Sequence, residues 1–160
     1  MAWIIAFSLP YIFDSGLFGN MIFVVPWLAG WLINLLFGLI LRRPRPFVAY
    51  PKEVKLLFKP FTSWKSFPSD HAMTAFYFFL IAWHVQIPLF WILLPLALWV
   101  VWSRIYSGVH YPIDSIGGFL VGLFAFVLFV IFDIYYRLYM GDTFGQDRLV
   151  MESMQLLTNI

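Results

Sequence analysis

PIDSIGGFLVGLFAFVLFVIFDIYYRLY, Pro112 to Tyr139, decides the fold. Pro112 suits the first turn of a helix, where its missing N–H costs little. The apolar run behind it is long enough to cross a hydrocarbon core of about 30 Å. Gly118 and Gly122 stand in a GxxxG spacing that lets another helix approach closely, and simple packing is its expected use. A soluble domain rarely carries such a segment. The rest of the chain repeats the pattern.

Working upstream, Leu89 to Arg104 forms another apolar span, and Gln86 to Pro88 the tight turn before it. Ser69 to about Val85 forms a further span, and residues 17–41 the first of the set. Pro26 is expected to kink that first span, which membrane helices tolerate. Asn34, its one strongly polar interior residue, is expected to make an interhelical hydrogen bond. Residues 2–13 are apolar but broken by Pro10, and helical they would reach only ~18 Å. They are expected to form an interfacial or re-entrant helix. They have no basic n-region and no small-residue cleavage site, so a cleaved signal peptide is not expected. Trp27, Trp91, Trp99 and Trp102 read as interface anchors or packing residues. The expected fold is all-α: a polytopic membrane helix bundle of about four spans plus the short N-terminal helix. Residues 1–160 read as one domain, with a motif-bearing core at 38–118 and a tail of mixed polarity at 141–160.

Composition agrees. The chain is 62% hydrophobic and only 11% charged, against about 25% charged in ordinary soluble domains. Mean hydropathy is +0.86. The absence of cysteine excludes disulfides, zinc–thiolate sites and thiol catalysis. Seven of the ten Lys and Arg residues fall between Arg42 and Lys65. That basic block sits between two spans and is not a nucleic-acid patch. It can set topology from the cytoplasmic side, or it can serve an anion.

Threading about four spans brings Arg45, His71, Arg104, His110 and Asp114 to one membrane face. His84 emerges on the opposite face and reads as structural. Ionisable groups are costly at a membrane boundary and usually serve a function there. Arginine presents a planar fork that binds phosphate bidentately, so Arg45 and Arg104 are natural clamps. His71 lies in the first turn of its span, where unpaired N–H groups favour anions, and Ser69 can add a hydroxyl. His110 and Asp114 are four residues apart at a helix start. A carboxylate there can hold one imidazole nitrogen and leave the other as a nucleophile. His71 can then act as general acid, so the rate should be bell-shaped in pH. Zinc is an alternative ligand for two histidines and an aspartate, but neighbouring arginines repel a cation. Taken singly, Asp114 could be a helix cap and Arg104 a snorkelling boundary residue.

These residues resemble the motifs of the type 2 phosphatidic acid phosphatase superfamily: Lys-x6-Arg-Pro, Pro-Ser-Gly-His and Ser-Arg-x5-His-x3-Asp. The third is complete in Ser103, Arg104, His110 and Asp114. The second reads Pro68-Ser69-Asp70-His71, with aspartate for glycine. The first keeps Arg45-Pro46, but Gly38 stands where the lysine belongs. The resemblance implies a lipid phosphatase that needs no metal or other cofactor. It implies that His110 attacks phosphorus, Asp114 orients it, and His71 protonates the leaving group. Arg45, Arg104 and Ser69 would hold the phosphoryl oxygens. Arg42, one helical turn beyond Gly38, is the expected substitute for the missing cation, with Arg43 second. Asp70 is expected to cap its helix while its amide faces phosphate.

The PSDH variant is similar to bacterial undecaprenyl-diphosphate phosphatases of this superfamily. Undecaprenyl diphosphate is therefore the expected substrate, in a bacterial inner or plasma membrane with the site on the outer face. Phosphatidic acid, phosphatidylglycerophosphate and a lipid A phosphate are alternative substrates. A non-catalytic anionic-lipid-binding member is the alternative class. The partners expected are the lipid substrate and membrane lipids. The family usually has six spans, so a homo-oligomer is an expected way to complete the pocket of a four-span chain.

Overall fold

A computed structural model of the chain describes residues 16–57, 60, 63–87 and 90–140. Its helices are α1 (Gly16–Leu41), α2 (Pro46–Ala49), α3 (Asp70–His84), α4 (Phe90–Tyr106) and α5 (Pro112–Met140). Among the described residues there is no strand. The protein is an all-helical membrane bundle. The expected helix at 2–13, the tail at 141–160 and Pro88 of the expected turn lie outside the described residues.

Local chemistry sets the helix ends. Ser69 is extended at the start of α3, and its Oγ accepts from the Ala72 N–H at 3.3 Å. That satisfies one orphan donor of the first turn. Pro112 occupies the first position of α5. At the end of α1 the Arg42 N–H still reaches the Gly38 carbonyl at 3.0 Å, but Arg42 itself takes φ +45°. This left-handed residue stops the helix.

α3 is the central element. It packs against α5, α4 and α1, and α5 packs in turn on α1. Phe23, Tyr77, Ile81, Ala125 and Phe129 fill the space between α1, α3 and α5. Ala75, Ala82, Leu93 and Ala97 fill the seam between α3 and α4. Among the described residues three long-range hydrogen bonds tie α1 to α3: Tyr77 Oη donates to the Phe23 carbonyl at 2.6 Å, Trp27 Nε1 to Thr74 Oγ1 at 3.2 Å, and Asn34 Nδ2 to Asp70 Oδ1 at 3.0 Å. Such bonds average about 0.6 kcal/mol inside a bilayer, so close backbone packing must supply much of the association. The glycines provide it. A Cβ at Gly118 would strike the Ser69 carbonyl oxygen, and one at Gly122 would sit 2.7 Å from the Met73 oxygen.

The outer surface is apolar. Leu28, Trp31, Leu32 and Ile40 of α1 point outward, as do Leu120, Phe124, Ile131 and Leu138 of α5. Trp91, Trp99 and Trp102 are also exposed, on α4. The stretches Met21–Ala49 and Pro112–Leu138 are long and apolar enough to cross a membrane, and Phe90–Tyr106 is a shorter apolar helix. A collar of this size would drive a soluble protein to aggregate, whereas lipid covers it without cost.

Candidate active site

The site is built around the first turn of α5. Asp114 is fully buried there. Its Oδ2 accepts from the Tyr111 N–H at 2.8 Å, while its own N–H donates to the Tyr111 carbonyl at 3.0 Å. This reciprocal pair fixes the carboxylate at the helix entry. Ser66 Oγ donates to Oδ2 at 2.5 Å, and Arg43 Nη1 donates to Oδ1 at 3.2 Å. His110 Nδ1 faces Oδ2 at 3.5 Å. With Nδ1 turned to the carboxylate, Nε2 is the nitrogen left for chemistry.

The turn between α4 and α5 brings His110 back beside Arg104. The N–H groups of Val109 and His110 both donate to the Arg104 carbonyl, at 3.1 and 3.2 Å. Gly108 makes the reversal at φ +71°, a conformation that suits glycine. A Cβ there would also collide with Val54.

His71 comes from the first turn of α3. The Ser69 N–H donates to the Asp114 carbonyl at 2.9 Å, so the starts of α3 and α5 are joined through main chain. Gly118 lets this contact form. As a result His71 lies within electrostatic reach of Arg104, His110 and Arg45. Arg45 is buried in the loop before α2, and its Nη1 approaches the Val109 carbonyl at 3.5 Å. Burial pulls its guanidinium below the ordinary value, against the opposing fields of Asp70 and Asp114. It stays charged at neutral pH. Arg104 also lies in its field. Two arginines and two histidines thus share one small volume, an arrangement that an anion relieves.

Five expected residues, Arg45, His71, Arg104, His110 and Asp114, meet at this point. Ser69 adjoins them, and it is the N-cap. Asp70 departs from expectation: Ser69 does the capping, and Asp70 Oδ1 instead accepts from Lys65 Nζ at 2.7 Å and Asn34 Nδ2 at 3.0 Å. Asn34 makes the interhelical bond expected of it. Arg42 is not brought in. Its Nε donates to the Leu39 carbonyl at 3.1 Å on the exposed side of the chain. The expectation assumed that helical phase continues four residues past Gly38. The helix stops at Leu41, and the left-handed Arg42 turns the next residue inward. Arg43 therefore reaches Asp114, with its guanidinium 4.2 Å from the centre of the Tyr111 ring. Lys65 and Ser66 were not legible as site residues. They sit in a basic loop without periodicity, and nothing local marks their partners. Among the described residues no group of three or more His, Cys, Asp or Glu is placed to hold a metal ion.

Two cavities adjoin the cluster. One of about 590 Å³ is lined by His110, Tyr111, Pro46, Tyr50 and Lys55. The other, about 350 Å³, is almost wholly apolar and lies between α1 and α5, lined by Ile33, Phe37, Phe67, Leu120 and Phe124. Pro68, next to the Ser69 cap, also lines it.

The family model of the PAP2 superfamily matches residues 17–139, from α1 to α5. The chain belongs to the PAP2 superfamily. Among curated relatives, it is 37% identical over 91 residues to the putative undecaprenyl-diphosphatase YbjG of Escherichia coli, covering 54% of this chain and 42% of that protein. It is 34% identical over 102 residues to the undecaprenyl-diphosphatase BcrC of Bacillus subtilis, covering 64% and 51%. It is 32% identical over 109 residues to the bacitracin transport permease protein BcrC of Bacillus licheniformis, covering 67% and 51%. The chain spans about half the length of the curated relatives it matches. No solved structure matches it significantly.

Proposed function

We propose that this PAP2 member is a membrane lipid phosphatase that hydrolyses undecaprenyl diphosphate without a metal. The observation that carries the reading is the juxtaposition of His110, backed by buried Asp114, with His71, Arg45 and Arg104. His110 Nε2 attacks the terminal phosphorus. The N–P bond forms as the P–O bond to the leaving phosphate breaks, and His71 gives its proton to the leaving oxygen. Asp114 holds the ring and stabilises the imidazolium. Water then attacks the phosphohistidine, returns a proton to His71, and releases inorganic phosphate. Arg45 and Arg104 hold the phosphoryl oxygens throughout, where charge develops.

A lipid substrate is supported by the apolar groove between α1 and α5, which can take a hydrocarbon chain beside Pro68. The diphosphate is supported by the similarity to YbjG and Bacillus subtilis BcrC, which are named a putative undecaprenyl-diphosphatase and an undecaprenyl-diphosphatase. An outer-face site in a bacterial cytoplasmic membrane agrees with the loop chemistry. Arg43, Arg45 and Lys65 are bonded within the site or buried, so the basic block need not mark the cytoplasmic side.

The test is phosphate release from undecaprenyl diphosphate in detergent with EDTA. Release that persists in EDTA and disappears in His110→Ala is expected. Release abolished by EDTA, or retained by His110→Ala, would overturn the mechanism.

A further inference from the structure

Lys65 is the least expected feature of the site. Its residue is only 7% exposed. Burying an ammonium is costly unless it is paired. Here the stem crosses the face of α1 at Gly38. A Cβ on Gly38 would lie 2.6 Å from Lys65 Cδ and 2.7 Å from Cγ. Glycine in a helix interior is destabilising relative to alanine, and at this position it provides the channel for the lysine stem. The ammonium then meets Asp70, one residue before His71. Asn34 of α1 donates to the same Asp70 oxygen, so the carboxylate is held between two helices.

The neighbours reinforce this placement. The Ser66 N–H donates to the Arg43 carbonyl at 3.0 Å, and its hydroxyl holds Asp114. The Lys65–Ser66 pair thus reaches both histidine-bearing ends: Lys65 through Asp70 at α3, Ser66 through Asp114 at α5. Among the described residues, the one hydrogen bond of the Lys65 ammonium goes to Asp70. An ammonium has three donors, so pairing with Asp70 leaves capacity for an anion.

We propose that Lys65 is a phosphate-binding cation of the active site, threaded over Gly38 from the loop and held in place by Asp70 and Asn34. The two departures from the family motifs then explain each other. Gly38 removes a lysine from α1 and opens the path for another from the loop. Asp70 supplies the anchor that this longer route requires. The proposal rests on the phosphatase reading above.

The experiment compares native protein with K65M, K65M/D70N and G38K/K65G in the same detergent, each first shown to fold by its thermal melt. Loss of one charged donor at the reacting phosphate is expected to lower kcat/KM about 10²-fold in K65M. K65M/D70N should stay equally impaired, because neutralising Asp70 does not restore a phosphate donor. G38K/K65G should recover at least tenfold over K65M, since its lysine rises through the vacated space. Activity of K65M within threefold of native would overturn the proposal. So would full recovery in K65M/D70N, which would make Lys65 only a counter-ion. If native protein released no phosphate, the phosphatase reading would fail separately. Inorganic phosphate titration followed by tryptophan fluorescence, with Trp64 beside Lys65 as reporter, then decides. Weaker binding in K65M supports the proposal and equal binding overturns it.

Discussion

α5 carries two buried aspartates, Asp114 and Asp133, roughly 28 Å apart along the helix at 1.5 Å per residue. Both have a histidine and an arginine beside them. Asp133 Oδ2 lies 3.4 Å from His84 Nε2 and accepts from Arg137 Nε at 3.1 Å. Asp114 has His110 and Arg43. The inventories match, yet the arrangements differ. At Asp133 the His84 ring packs edge-on against Phe126 and Phe129, with centroids 5.9 and 5.7 Å away. At Asp114 the His110 ring lines a cavity. Asp114 also engages both oxygens, with donors from the α1 end, the loop before α3 and the α5 entry. Residue types alone do not make a reactive centre. An imidazole needs a fixed back and an open front, together with cations placed for what arrives.

The sharpest break in that comparison is at the two histidines. His110→Ala should lower the rate of phosphate release at least about 10³-fold, as loss of a nucleophile does. His84→Ala should leave it within about threefold. Initial rates in one detergent decide between them, and equal losses would erase the distinction between the ends.

Next come the aspartates. Asp114→Asn keeps the shape but cannot stabilise the imidazolium, and kcat should fall about 10²- to 10⁴-fold. Asp133→Asn should keep kcat within a few-fold and cost about 1 kcal/mol of stability, visible in the thermal melt. A third effect concerns the helix contact that aligns the near end. Gly122→Leu forces a side chain against the Met73 carbonyl. It should destabilise by about 1–3 kcal/mol and reduce kcat with it, because α3 carries His71. The smallest contrast separates adjacent arginines. Arg43→Ala should reduce kcat about tenfold, about the 1.4 kcal/mol expected from losing one charged hydrogen bond to Asp114. Arg42→Ala should leave turnover near normal, and a large loss there would restore Arg42 to the site.

The helices were readable from sequence because their signal is local. Apolar length and Pro112 place the described spans within about two residues of where they lie. The convergence of His71, Arg45, Arg104, His110 and Asp114 followed from counting crossings. The loop was another matter. Arg42 falls outside the cluster because one left-handed residue cancels the helical phase that its spacing from Gly38 presumes. Lys65 and Ser66 act on partners far along the chain or across a turn, and no periodicity encodes such contacts. At Asp70 the sequence suggests a cap, because a carboxylate at a helix start usually is one. Only the fold shows that Ser69 already fills that role.

α3 has fifteen residues, which at 1.5 Å each span roughly 22 Å, against a hydrocarbon thickness of about 30 Å. His71 stands in its first turn and His84 closes its last. One rod thus holds the two histidines roughly 20 Å apart at 1.5 Å per residue. The length of α3 therefore sets the distance between the end of the molecule that carries the Asp114 cluster and the end that carries Asp133, and the helix serves as a ruler.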